Sequence, residues 1–124
     1  MNIADSSGWL EFFASGPNAS VFAPPIQDAA HLLVPVITLT EVFKRVLQQK
    51  DEPSALQAVG HMLQGQVIPL DSELAIEAGR LGHLMKIPLA DSLILATARR
   101  SNATLWTQDE DFKSISGVRY IPKR

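Results

Sequence analysis

Short apolar runs alternate along this chain with longer stretches in which apolar residues return at helical spacing. The runs predict strands and the spaced stretches predict helices. Asn2–Ala4 reads as a very short first strand. Ser6-Ser7 then opens a helix whose apolar positions are Trp9, Leu10, Phe12 and Phe13, and Ser15-Gly16-Pro17-Asn18 ends it. Asn18–Ala23 starts another helical turn. Pro24-Pro25 is expected to interrupt it, because each proline removes a donor and clashes with the preceding turn, and Pro25 opens a fresh turn to Ala30. Leu32–Ile37 reads as the second strand, kept short or at a sheet edge by Pro35.

The second half repeats the alternation. A helix runs from Thr38 to about Gln49 with Val42, Phe43, Val46 and Leu47 on one side. Asp51 caps the next helix, which has Pro53 in its first turn and ends at Gly65. Gln66–Leu70 is a third strand. Asp71 caps a helix carrying Leu74, Ile76, Ala78, Leu81 and Leu84, which Ile87-Pro88-Leu89 breaks. Ala90–Arg100 is a further helix, Ala103–Thr107 a fourth strand, Gln108–Ser114 a loop or short helix, and Val118–Ile121 a last strand. This order implies an α/β fold, a three-layer α/β/α sandwich around a mainly parallel sheet. With 124 residues, no repeat and no linker, residues 1–124 are expected to form one domain.

Acidic residues stand where this chain leaves strands or enters helices: Asp5, Glu41, Asp91 and Asp109, with Asp111 two residues on. In parallel α/β sheets, ligands bind beyond the carboxyl ends of the strands, so these acids can converge there. Carboxylates gathered without basic partners repel one another, and a divalent cation relieves the repulsion. Oxygen-only ligands suit Mg²⁺ or Mn²⁺ rather than zinc or copper. Each acid also has a purely structural reading. Asp5 fits a helix cap, Thr38-x-x-Glu41 fits a capping box, Asp91 lies in a helix start, and Asp109 and Asp111 fit turn positions around Phe112.

Composition narrows the chemistry. The chain has no cysteine, which excludes disulfides, thiolate metal sites and a cysteine nucleophile. His31, His61 and His83 lie in separate segments without metal-ligand spacing. The net charge of −2 gives no broad basic footprint for nucleic acid, although Lys44-Arg45, Arg99-Arg100 and the tail Lys123-Arg124 are local basic clusters. No apolar run reaches membrane-spanning length and no signal-peptide pattern opens the chain, so a cytoplasmic protein is the expectation. A phosphoryl-accepting receiver domain would want an acidic pair after the first strand. A haloacid-type phosphatase would want Asp-x-Asp there, where this chain has Ser7. A binding module whose acids only cap helices is the remaining alternative.

Four segments resemble the PIN-domain family, and within it the VapC-type toxins of prokaryotic toxin–antitoxin pairs. They are Ile3-Ala4-Asp5-Ser6-Ser7, Val36-Ile37-Thr38-Leu39-Thr40-Glu41-Val42, Ile87-Pro88-Leu89-Ala90-Asp91 with its small-residue helix, and Thr107-Gln108-Asp109-Glu110-Asp111-Phe112. The resemblance covers essentially the whole chain. It implies a metal-dependent endoribonuclease that hydrolyses RNA phosphodiester bonds, is held inactive by a cognate antitoxin, and pairs as a homodimer. It also implies an acidic quartet of Asp5, Glu41, Asp91 and Asp109. Asp5, Asp91 and Asp109 would hold Mg²⁺ or Mn²⁺, with Asp111 and Thr107 as auxiliaries.

Overall fold

A computed structural model describes residues 1–124. Five short strands, β1 (Asn2–Ala4), β2 (Leu33–Pro35), β3 (Gln66–Ile68), β4 (Thr104–Thr107) and β5 (Val118–Tyr120), alternate with six helices. The helices are α1 (Ser6–Phe13), α2 (Ala19–Gln27), α3 (Val36–Gln49), α4 (Glu52–Met62), α5 (Ser72–Met85) and α6 (Leu89–Arg100). Single 3-10 turns at Ala29–His31 and Glu110–Phe112 complete the chain. Every strand pair is parallel, with β3 on β2 and β1 and β5 flanking β4. A parallel bridge from Asn2 to Leu32 joins the two pieces into the order β3-β2-β1-β4-β5.

The strand side chains alternate between two cores, as a period of two requires. Ile3, Leu33 and Leu105 face a cluster with Leu74, Leu81, Ile94 and Leu95 of α5 and α6. Their neighbours Ala4, Leu32 and Val34 face Trp9, Phe22, Val42 and Met62 of α1 to α4. Helices thus cover both faces of the sheet, which is the three-layer sandwich read from the sequence.

Three local expectations are corrected. Pro24-Pro25 does not interrupt α2, which runs through both prolines. Phe22, Pro25 and Ile26 recur at helical spacing and are buried, so packing overrides the two lost donors. Pro35 keeps β2 short, ending it after three residues, but does not place it at an edge: β2 lies between β3 and β1. The next helix opens at Val36 rather than Thr38, and Thr38 Oγ1 donates back to the Pro35 carbonyl at 2.7 Å. Thr38 is therefore not a helix cap, and the capping-box reading of Glu41 falls with it.

Gly8 sets how closely α1 and α2 approach. A Cβ there would lie 2.8 Å from Phe22 Cδ1, against a ring that is itself fully buried. Gly8→Ala is expected to destabilise the fold by about 1–3 kcal/mol, the usual range for overpacking a filled core. Urea unfolding measures it, and a loss under about 0.5 kcal/mol, the scatter of a neutral surface change, would mean that this contact is looser than described.

Candidate metal centre

The strand order reverses direction beside β1. The chain first adds β2 and β3 on one side, then returns to place β4 on the other. A crevice at such a switch point opens between the carboxyl ends of the two inner strands. Asp5 follows β1 directly, and Gln108-Asp109 follow β4. Asp5 N–H donates to the Trp106 carbonyl at 3.1 Å, which keeps the two strand ends side by side. Topology alone thus brings together acids from opposite ends of the sequence.

Asp5 is 3% exposed, and both of its carboxylate oxygens are engaged. Oδ1 accepts from Ser7 Oγ at 2.7 Å and from Gly8 N–H at 3.0 Å, capping α1. Oδ2 accepts from Thr107 Oγ1 at 2.6 Å. Thr107 Oγ1 in turn accepts from Asp109 N–H at 2.9 Å, so one hydroxyl couples Asp5 to the acid-bearing loop. Burial pushes the Asp5 carboxyl up to about 6; the bonds from Thr107, Ser7 and Gly8 pull it back, and the charge of Asp109 adds to the rise.

Asp91 sits in the first turn of α6, buried, and its side chain makes no capping bond. Its carboxylate lies with those of Asp109 and Asp111 in a group whose ligand oxygens all fall within 4.8 Å of one another. Burial, then the charges of Asp109, Asp5 and Asp111, raise the Asp91 carboxyl to about 7, helped by a hydrogen bond shared with Asp111. Asp109 also holds its own loop, since its Oδ1 accepts from Asp111 N–H at 2.9 Å. Glu41 enters from α3 and accepts from Ser6 Oγ at 2.5 Å, next along the chain from Asp5. The structure therefore groups Asp91 and Asp109 most tightly with Asp111. Asp5 and Glu41 adjoin through the serines and Thr107.

None of these acids forms an ion pair, although Lys123 lines the same surface depression as Asp109 and Asp111. The ion pairs of the chain are Asp28–His31, Glu77–Arg80 and Asp71–Arg100. Arg100 is spent on the cap of α5, at the opposite end of α6 from Asp91. The donor set fits a hard divalent cation: it is all oxygen, and ligands at about 2.0–2.6 Å from one ion span at most about 5 Å. The cleft of about 500 Å³ between α1, α3 and α4, walled by Leu10, Phe13, Val46, Ala58 and His61, has no carboxylate in its lining and lacks this chemistry.

Sequence reading passed over Ser6, Ser7, Asn18 and Gln108 as site-supporting groups. Two hydroxyls directly after a strand-ending Asp were the available signal for the serines. Asn18 and Gln108 are 90 residues apart, and only the fold pairs them, at 3.0 Å.

Known protein structures share this fold. A toxin–antitoxin complex from Klebsiella pneumoniae is similar over 100% of both chains, with a TM-score of 0.79 and 24% identity. DNA-bound VapBC from Salmonella typhimurium is similar over 98% of each chain, with a TM-score of 0.74 and 17% identity. VapC20 of Mycobacterium tuberculosis, a sarcin-ricin loop cleaving toxin, covers 94% of this chain and 95% of its own, with a TM-score of 0.71 and 15% identity. At these identities the likeness is one of fold. No curated protein matches the sequence. The PIN-domain family model matches residues 3–118, nearly the full length, and the chain belongs to the PIN-domain family.

Proposed function

We propose that this chain is a divalent-metal-dependent endoribonuclease of the VapC toxin kind. The observation that carries the reading is the group of Asp91, Asp109 and Asp111, none of them ion-paired, beside buried Asp5, at the switch point of a PIN fold. Asp91, Asp109 and Asp111 would hold Mg²⁺ or Mn²⁺ directly, and Asp5 from the adjoining strand end. When bound, such an ion activates the attacking water and offsets charge on the phosphodiester.

The remaining work falls to the chain itself. Thr107 fixes the Asp5 carboxylate and the start of the acidic loop with one hydroxyl. Ser6 holds Glu41 through one carboxylate oxygen, and the other would take the proton of the attacking water. Carboxylates held in place before substrate arrives need no rearrangement during the reaction. A toxin of this kind needs an inhibitor in the cell that makes it. A protein partner bringing a guanidinium to the acids would substitute for the metal charge, and the similar structure from Klebsiella pneumoniae is a toxin–antitoxin complex.

The test is cleavage of end-labelled structured RNA by the purified chain, with Mg²⁺ or Mn²⁺ and then with excess chelator. Discrete cuts that chelator abolishes and added metal restores are expected. RNA left intact across a panel of ribosomal and transfer RNAs, with the chain folded and metal present, would refute the reading.

A further inference from the structure

Asn18 ties the acid-bearing loop to two other parts of the chain. It is fully buried at the entry to α2. Its Nδ2 donates to Gln108 Oε1 and to the Pro122 carbonyl, each at 3.0 Å. Its backbone N–H donates to Glu11 Oε2 at 2.7 Å, so the turn presenting the side chain is itself fixed. Gly16 permits this, because a Cβ there would come within 2.2 Å of Glu11 Oε1. Gln108 immediately precedes Asp109, is buried, and donates its backbone N–H to Ser7 Oγ at 3.2 Å. Pro122 follows Ile121, whose N–H donates to the Thr107 carbonyl at 2.8 Å. Both groups gripped by Asn18 thus flank the loop that presents Asp109 and Asp111.

One side of the Asn18 amide goes without a partner. Its Oδ1 is buried and accepts no hydrogen bond. Turning the amide over would set that oxygen against the Pro122 carbonyl oxygen, so the donor side faces the two acceptors. A small apolar residue would spare the chain a buried unpaired oxygen, yet it would release Gln108 and the tail.

We infer that Asn18 is a positioning residue. Acting through Gln108 and the Pro122 carbonyl, it holds Asp109 and Asp111 at the separation from Asp91 that a divalent cation requires. The inference rests on the metal-dependent reading above. Groups that orient metal ligands from outside are commonly worth about 10–100-fold in metal affinity.

Mn²⁺ titration of the full chain, followed by the electron paramagnetic resonance of free Mn²⁺, tests it. Asn18→Ala is expected to weaken Mn²⁺ binding about ten-fold or more, and Gln108→Leu to weaken it by a smaller factor. The double variant is expected to match Asn18→Ala, because both changes break the same tie. Met62→Ala, in the α4 core, is the control: it lowers the melting temperature and leaves Mn²⁺ affinity unchanged. Full Mn²⁺ affinity in Asn18→Ala, or an equal loss in Met62→Ala, overturns the inference and leaves the nuclease reading standing. Should Asn18→Ala not fold, Gln108→Leu decides, and unchanged affinity there overturns the inference. A wild-type chain that binds no Mn²⁺, or binds it regardless of Asp109→Asn, overturns the nuclease reading and this inference together.

Discussion

Asp91→Asn is expected to abolish metal-dependent RNA cleavage while making the metal-free protein more stable at pH 8. The first half follows from position. Asp91 is the buried member of the tight acidic group, and every close neighbour that shifts its titration is another acid. Losing one preorganised electrostatic group commonly lowers a rate by about 10²–10³-fold, and a lost direct metal ligand belongs at or beyond the upper end. The second half follows from sign. The Asp91 carboxyl is raised from 3.8 to about 7, so the folded state resists its ionisation. At pH 8 it is ionised in both states, and the folded chain carries the full penalty. That penalty is on the order of 2–4 kcal/mol, and the lower half is expected because solvent reaches Asp109 and Asp111 on the carboxylate's outer side. Asn removes the charge and keeps the shape. Urea unfolding in chelator at pH 8 and at pH 4 measures the gain, which should vanish at the lower pH. Wild-type cleavage rates in the variant would remove Asp91 from the metal centre. An unchanged stability at pH 8 would mean that its carboxylate is better solvated than its burial indicates.

How much of this was legible in the sequence depended on range. The parallel sandwich was readable because strand and helix periods are local, and Ile3 and Ala4 already announce two faces by adjacency. Asp51 and Asp71 were readable as caps for the same reason: each accepts from the backbone N–H three residues on, at 2.8 Å. Pro24-Pro25 misled because the local rule is sound, and only the burial of Phe22, Pro25 and Ile26 overrules it. Glu41 was readable as a candidate but ambiguous, because a capping box is a local pattern. Its actual donor, Ser6, is 35 residues away.

The acids also show that capping and site-building are not exclusive. Asp5 caps α1 and Asp109 caps the 3-10 turn at Glu110–Phe112, as a structural reading of each would have it. Both nonetheless lie at the crevice, because a helix start that follows a strand end is where a parallel sheet opens. The capping bonds hold the carboxylates rigid, and rigidity is what a metal centre needs from its ligands. Asp111 was legible only as an auxiliary, since its place in the group with Asp91 depends on the tight Asp109–Asp111 turn.

The metal-free protein is expected to lose stability as pH rises from about 4 to 8, and a divalent cation should reverse the trend. Asp5 and Asp91 have folded-state carboxyls near 6 and 7, above the ordinary 3.8. Their contribution is therefore fully present below 3.8 and is lost as pH climbs through 6 and 7. Between pH 4 and 6 the folded chain holds up to two protons more than the unfolded one, so stability falls by as much as about 2.7 kcal/mol per pH unit. Asp51 and Asp71 act in the opposite sense. Hydrogen bonds hold their carboxyls below the ordinary range, so their contribution is present above 3.8 and fades as the pH drops through their folded values. The two trends put the metal-free optimum near the ordinary carboxyl value of 3.8, where the opposing groups change over. A cation binds the ionised acids, so Mn²⁺ should stabilise strongly at pH 8 and scarcely at pH 5, and cleavage should fall as pH drops through 7 and 6. Melting curves from pH 4 to 8, with chelator and with Mn²⁺, check both halves. A metal-free profile that stays flat from pH 5 to 8 would show that these carboxyls ionise without opposition, and carboxyls that ionise freely are not crowded together as a cation site requires.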